Sequence, residues 1–93
     1  MKFTIVPDDK SVGVDGAFLS PIDLSQLDST IHAVQWYGTY GEIEYETRLQ
    51  NGRIVKPENT VITDATPYQF AVAAWNAKKA EIEAANQMPV TEL

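Results

Sequence analysis

The sequence predicts an α+β fold: a small, mostly antiparallel β-meander sheet with one C-terminal α-helix packed on a face. Apolar and charged residues alternate over 42–49, which is the pattern of a strand with one face in water. The dipeptides Asp15-Gly16 and Asn51-Gly52 suit the positive φ angles of two-residue hairpin turns. The segment 67–86 contains seven alanines and no glycine, so it predicts a helix.

The size and composition of the chain indicate one folded domain. The chain is 44% hydrophobic and 22% charged, which is ordinary for a globular protein. Its 93 residues are too few for two domains. We expect the domain to span 1–87 and the residues 88–93 to form a loose tail. So small a core leaves a thin margin of stability, and we therefore expect assembly with another protein or with further copies of the chain.

Net charge, hydrophobicity and the lack of cysteine exclude several kinds of partner and of site. A net charge of −6 repels phosphate backbones, so we expect no nucleic-acid partner. No apolar stretch approaches the length of a membrane span, so we expect no membrane partner. The chain contains no cysteine, which removes disulfides, thiolate metal sites and cysteine nucleophiles together.

The first part of the chain predicts short strands joined by turns. The apolar run 3–6 predicts a strand, and the residues 7–10, with a proline and two aspartates, predict the turn that ends it. Short apolar segments on either side of Asp15-Gly16 predict a hairpin. The segment 21–28 fits a connecting loop that places its leucines beneath the sheet.

The strongest β pattern lies in the middle of the chain. A strand over 31–37 is predicted to turn at a pair of glycines into a second strand over 42–49. The apolar face of the second strand would carry Ile43, Tyr45, Thr47 and Leu49, and its wet face Glu42, Glu44, Glu46 and Arg48. After Asn51-Gly52 we expect a short return strand over 53–55, and 60–63 predicts a further one.

The predicted helix has an explicit start and two apolar stripes. Thr66 is the expected N-cap, Pro67 suits the first helical position, and Gln69 completes a capping box with Thr66. A flat stripe contains Phe70, Ala73, Ala74, Ala77 and Ala84, and a bulkier stripe contains Tyr68, Val72, Trp75 and Ile82. Two interpretations are open. Either the alanine stripe packs on the sheet and the bulky one covers a flank of the same core, or Trp75 and Ile82 dock on another protein.

No group of residues in the sequence is a convincing catalytic, metal or cofactor site. His32 and the row Glu42, Glu44 and Glu46 are the candidates for a metal site, but carboxylates at alternate strand positions lie about 7 Å apart. This spacing is too wide for one coordination sphere, so we expect His32 to pack or hydrogen-bond locally. No serine lies in a nucleophile elbow and no glycine in a phosphate-binding loop. We therefore expect a protein that is not an enzyme and holds no cofactor.

Aromatic residues are the best candidates for contacts with another protein. Tyr37 and Tyr40 belong to the turn between the two central strands, where they would contact a partner or fold back over the sheet. Together with the bulky stripe of the helix they make up the predicted partner-binding set. Its members are Tyr37, Tyr40, Tyr68, Val72, Trp75 and Ile82.

Several segments of the chain resemble a group of small proteins of tailed bacteriophages. These proteins carry a His-Ala-Val-Gln-Trp segment, a glycine-containing turn, an Ile-Glu-Tyr-like strand and a closing Ala-x-x-x-Trp-Asn-Ala helix. The matching residues are His32 to Trp36, Gly38, Gly41 to Tyr45, Ala71 and Trp75 to Ala77, and the opening Lys2 to Pro7 and Val14-Asp15-Gly16 also fit. The chain departs from the pattern over 50–63, where its hairpin is longer.

The resemblance implies a structural role in a phage particle, as a minor tail or fibre-associated component that binds a tail, fibre or capsid protein. The protein would then reside in the virion after synthesis in the host cytoplasm. Two alternatives are open: an assembly chaperone for tail fibres that stays outside the particle, and a host-directed inhibitor whose acidic surface imitates nucleic acid. The resemblance carries over no catalytic residue.

Overall fold

The computed structural model describes residues 1–87, and it has the predicted α+β fold. Six antiparallel strands form one sheet in the order β3-β2-β1-β4-β5-β8. These strands are β1 (Phe3–Val6), β2 (Ser11–Val14), β3 (Ala17–Leu19), β4 (Ile31–Trp36), β5 (Gly41–Tyr45) and β8 (Thr60–Ile62). A one-turn 3-10 helix, Thr66–Tyr68, leads into α1, Gln69–Gln87. The predicted tail, 88–93, lies outside the described residues.

A separate hairpin interrupts the sheet between β5 and β8. Its strands β6 (Arg48–Gln50) and β7 (Arg53–Val55) pair only as a two-stranded sheet of their own. Both turn dipeptides have the backbone predicted from their composition. The φ angles are 48° at Asp15 and 88° at Gly16, and 51° at Asn51 and 77° at Gly52. Two successive positive φ angles define the type I′ turn, which matches the right-handed twist of the strands it joins.

The hydrophobic core lies between one face of the six-stranded sheet and the helix. Cross-strand pairing places Phe3 opposite Val14 and Trp36, and Ile5 opposite Val12 and Val34, so these side chains share the inner face. The loop 20–30 joins β3 to β4, which are not neighbours in the sheet. This loop therefore passes beneath the intervening strands, which departs from a simple meander. It contributes Ile22 to the core, with Leu24 and Leu27 partly buried against it, as the sequence predicts.

The predicted strand 42–49 is shorter than expected, and this part of the prediction is wrong. Tyr45 pairs with Ile31, which is the first residue of β4. The residues after Tyr45 therefore have no β4 residue with which to pair. The Glu46 N–H instead donates to the Thr30 carbonyl at 2.8 Å, and the chain leaves the sheet. The apolar face ends with it, because Thr47 and Leu49 are exposed.

The helix packs with its bulky stripe, so the first interpretation above is only partly right. Val72 and Trp75 are buried in the core together with Ala71, and the Trp75 indole Nε1–H donates to the Ala17 carbonyl of β3 at 2.9 Å. Three members of the alanine stripe are exposed to solvent: Ala73, Ala77 and Ala84. Val72 and Trp75 bury more apolar area than alanines would, and they fill the space between the helix and the sheet. The bulky stripe therefore faces the sheet.

The helix start also differs from the capping box that the sequence predicts. Thr66 lies inside the 3-10 turn, and its hydroxyl and backbone N–H both donate to the Asp64 carboxylate, at 2.7 and 2.9 Å. These hydrogen bonds lower the pKa of Asp64 because they favour its ionised form. The aspartate two residues before Thr66 therefore orders the helix entrance, and Gln69 is the first residue of α1.

Candidate functional site

The face of the sheet opposite the helix carries a connected row of polar side chains. Gln35 on β4 donates from Nε2 to the Glu44 carboxylate on β5 at 2.8 Å. The Tyr37 hydroxyl donates to the Glu42 carboxylate at 3.2 Å and lies 3.4 Å from the Gln35 side-chain oxygen. Of the three glutamates predicted to line a wet face, Glu44 is therefore held by Gln35 on β4, and Glu42 is held by Tyr37, which follows β4. They do not converge on His32.

The row ends at the turn between β4 and β5, which we call the tyrosine tip, residues 37–40. The Tyr37 N–H donates to the Tyr40 carbonyl at 2.8 Å, and Gly38 has a φ of 115° that closes the turn. The two tyrosine rings lie against each other with their centroids 5.1 Å apart and their planes tilted by 47°. Tyr37 is 37% exposed and Tyr40 is 49% exposed. The tip therefore presents a pair of ordered aromatic rings to solvent.

The environment of Tyr37 raises the pKa of its phenol. Partial burial is the largest cause, because it disfavours the phenolate, and the hydrogen bond to Glu42 and the nearby negative charge act in the same direction. The neutral phenol is therefore the form that the fold stabilises. This contribution is present below the ordinary tyrosine pKa of about 10 and is lost as the pH rises through the raised value.

We expect Glu42→Gln to lower the pKa of Tyr37 towards its ordinary value, without restoring it fully, because burial remains. The measurement is an ultraviolet absorbance titration of tyrosine ionisation, with Tyr37→Phe as the control that identifies which component belongs to Tyr37. An unchanged Tyr37 component in Glu42→Gln would show that the carboxylate does not act on the phenol.

His32 lies at the other end of β4, in a small cluster of ionisable groups. The pairing of β4 with β5 is irregular between Ile31 and Ala33, and this irregularity includes His32. Its Nδ1 lies 3.2 Å from a Glu46 carboxylate oxygen and 3.8 Å from an Asp8 carboxylate oxygen. One ligand atom from each of the three side chains falls within 4.8 Å of the others. The arrangement can hold an imidazolium between two carboxylates, or offer one nitrogen and two oxygens to a divalent cation.

The sequence identified only part of this cluster. It grouped His32 with Glu42, Glu44 and Glu46, and of these three Glu46 alone contacts it. Asp8 comes from the turn after β1 and reaches His32 because β1 and β4 are neighbours. No local pattern links the two residues. All three side chains are 41% to 66% exposed, so each ion pair contributes little to stability.

A second exposed feature is the hairpin after β5, which we call the arm, residues 47–57. Leu49 and Ile54 are cross-strand partners, and they are 75% and 77% exposed. Arg48 and Arg53, on the same two strands, are also exposed. The sequence predicted the turn of this hairpin but not its separation from the sheet. A cleft of about 560 Å³ lies at the base of the arm, lined by residues that include Tyr45, Arg48 and Thr60.

Comparisons with models of protein families, with curated proteins and with solved structures find no match to this chain. The phage resemblance therefore depends on the segments quoted above. Within 1–87, no helix is both long enough and apolar enough to cross a membrane.

The structure separates the six predicted partner-binding residues into three groups. Val72 and Trp75 are core residues, so their side chains have no surface to offer a partner in this fold, and we withdraw them from the set. Tyr68 is half-buried beside the core, and Ile82 is exposed on α1. Tyr37 and Tyr40 lie together at the tip. Contact between any of these residues and a partner stays a prediction.

Proposed function

We propose that this chain is a non-enzymatic, protein-binding component of a bacteriophage particle, associated with the tail or its fibres, and that the tyrosine tip is its main contact. The observation that supports this most directly is the exposed, mutually packed pair Tyr37 and Tyr40 at the end of a sheet. Tyrosine is among the residues that contribute most to protein interfaces, since it combines a large apolar ring with a polar hydroxyl.

The tip is ordered before any partner arrives. Tyr37 is held by its hydroxyl contact with Glu42 and by the backbone hydrogen bond across the turn, and Tyr40 packs against its ring. A side chain that is already ordered loses less conformational entropy on binding, which strengthens the contact it makes. The Glu42 carboxylate also places a charged group beside the two apolar rings, and apolar centres with polar groups at their edge are typical of protein interfaces.

The phage resemblance and the tip coincide in the sequence. The segments that match the phage proteins lie on β4 and β5, on either side of the tip, and within the tip they include Gly38 but neither tyrosine. This coincidence supports a binding role in the particle for the same part of the chain. The tail-fibre chaperone and the acidic inhibitor rest on no separate structural observation, and the experiment below distinguishes the chaperone from a particle component.

We expect the double substitution Tyr37→Ala with Tyr40→Ala to reduce incorporation into particles at least about tenfold, since losing one strong aromatic contact costs about 1.4 kcal/mol or more. The measurement is quantitative mass spectrometry of purified particles from cells that produce either form of the chain. Phe18→Ala is the matched control, because Phe18 is an exposed aromatic residue on β3, away from the tip.

Three results would count against this proposal. Reproducible absence of the unaltered chain from purified particles excludes a particle component. Capture with unassembled fibres together with absence from finished particles selects the assembly chaperone. Equal incorporation of the double variant and the unaltered chain excludes the tip as the contact. Thermal melting of each variant checks that the fold is intact.

A further inference from the structure

The arm differs in charge from the rest of the molecule. Residues 47–57 contain Arg48, Arg53 and Lys56 and no acidic residue, so the arm carries a charge of +3. The whole chain has a net charge of −6, which leaves −9 for all other residues together. Both arginines of the protein lie on this one hairpin. The arm is therefore a basic element attached to an acidic domain.

The domain is acidic where the arm begins. Glu46 immediately precedes the arm, and its contact with His32 places it beside Asp8, while Asp9 follows Asp8 in the same turn. We call Asp8, Asp9 and Glu46 the acidic end. Lys10 closes the same turn and offsets one of these charges. The Asp8 and Asp9 side chains are exposed, so a basic partner can approach them.

The apolar pair on the arm is uncovered. Leu49 and Ile54 face each other across the two strands and are at least three-quarters exposed. An isolated two-stranded hairpin is marginally stable in water, because it lacks a surface on which to bury its apolar side chains. Neighbouring strand residues point to opposite faces, so the pair lies on one face of the hairpin and Arg48 and Arg53 lie on the other. A partner that contacts both faces of the arm would cover the pair, neutralise the arginines and stabilise the arm.

We propose that two copies of this chain form a symmetric dimer, in which the arm of each copy lies against the acidic end of the other. Charge complementarity selects a second copy as the occupant, since one molecule carries both the basic arm and the acidic surface that it fits. Two-fold symmetry satisfies both arms at once and closes the assembly. Each strand of the arm has three residues and is about 10 Å long, which is enough to reach a neighbouring copy that packs beside it.

This dimer is independent of the proposed binding function. The tyrosine tip precedes β5 and the arm follows it, so the two features lie at opposite ends of that strand, about 15 Å apart. Exchange of the arms leaves both tips of the dimer free for another protein. Failure of one proposal therefore leaves the other standing.

The first test is the molecular mass of the full chain in solution, by sedimentation equilibrium across a wide range of concentration. We expect the mass to rise with concentration from 10.3 kDa towards twice that value at low salt. Added sodium chloride should shift the equilibrium towards the monomer, because the Debye length falls to about 10 Å at 0.1 M salt. A mass of 10.3 kDa at every concentration in low salt would overturn the proposal.

Charge exchange tests which surfaces meet. Arg48→Glu with Arg53→Glu makes the arm acidic, and Asp8→Lys with Asp9→Lys makes the acidic end basic. We expect each double variant to be monomeric alone, and an equimolar mixture of the two to form a mixed dimer. In the mixed dimer, the acidic arm of one variant meets the basic end of the other, so both charges of this contact are reversed. The second contact pairs an unaltered basic arm with an unaltered acidic end, so both contacts are attractive. A mixture that stays monomeric would overturn the pairing of arm with acidic end.

Two further variants separate the arm from general charge effects. Lys78→Glu with Lys79→Glu makes the same change in net charge on α1 and should leave the dimer intact. Leu49→Ser with Ile54→Ser should abolish the dimer without lowering the melting temperature of the monomer, because both side chains are exposed. The tip variant Tyr37→Ala with Tyr40→Ala should still dimerise. A dimer that survives both the arm charge reversal and the two serines would exclude the arm as the interface.

Discussion

Trp75→Ala is expected to lower the free energy of unfolding by about 3–5 kcal/mol. The indole is only 7% exposed and packs in the core between α1 and the sheet. Its Nε1–H also donates to the Ala17 carbonyl of the edge strand β3, so the side chain holds that strand to the helix. Removal of the indole leaves a cavity and a carbonyl without its donor.

The measurement for Trp75→Ala is chemical denaturation, with thermal melting alongside it. For a domain of this size the melting temperature should fall by more than about 10 °C. Ile82→Ala is the matched control on the same helix, and we expect it to cost less than about 1 kcal/mol because Ile82 is exposed. Trp75→Phe should fall between the two, at about 1–2 kcal/mol, since it keeps a ring and loses the hydrogen bond. Equal losses for Trp75→Ala and Ile82→Ala would contradict a core position for Trp75.

Gly41→Ala is expected to cost about 3 kcal/mol, at the upper end of the range for overpacking. Gly41 is the first residue of β5 and pairs with Trp36. A methyl group there would overlap the Gln35 carbonyl oxygen and lie 2.9 Å from a carbon of the Trp36 ring. The carbonyl belongs to the backbone of a central strand, so it cannot move aside without disturbing β4.

Gly13→Ala is the control for Gly41→Ala. A methyl group at Gly13 would lie 2.6 to 2.7 Å from the Phe18 ring, which packs over this glycine from β3. The obstacle here is the end of an exposed side chain that can rotate into solvent. We therefore expect a loss of about 1 kcal/mol, measured by the same denaturation experiment. If the two alanine variants lost the same stability, the overlap with the backbone would not be the cause at Gly41.

The close approach at Gly41 also affects the tyrosine tip. Gly41 follows Tyr40 directly, and its pairing with Trp36 sets the point at which the two strands separate into the turn. The glycine is therefore needed for the narrow tip as well as for the sheet. Sequence pattern identified a glycine-containing turn here, but the reason for the second glycine became visible only in the packing against β4.

The turns were predictable because their cause is local. Asp15-Gly16 and Asn51-Gly52 adopt positive φ angles that few other dipeptides tolerate, whatever the rest of the chain does. The helix was predictable for a similar reason, since alanine has the highest intrinsic helix propensity and seven alanines occur over 67–86. The first residue of the helix was not predictable. Asp64 and Thr66 are both residue types that accept hydrogen bonds at a helix start, and which of them does so depends on how the chain enters from β8.

The candidate sites were only partly predictable. Tyr37 and Tyr40 were found because a turn between two strands exposes its residues. The contact between their rings, and the hydrogen bond from Tyr37 to Glu42, depend on the register of β4 against β5. The neighbours of His32 depend on the order of β1 and β4 in the sheet. The separation of the arm depends on where β4 begins, which limits the length of β5.

The sequence by itself therefore determined the α+β class, the two type I′ turns, the helix after Pro67 and the acidic character of the chain. Tertiary structure decided which helix stripe is core, where the central hairpin ends, and which charged groups meet. The physical reason is the range of the interactions. Backbone propensity and turn geometry act between residues close in sequence, whereas burial and charge pairing act between residues that only the folded sheet brings together.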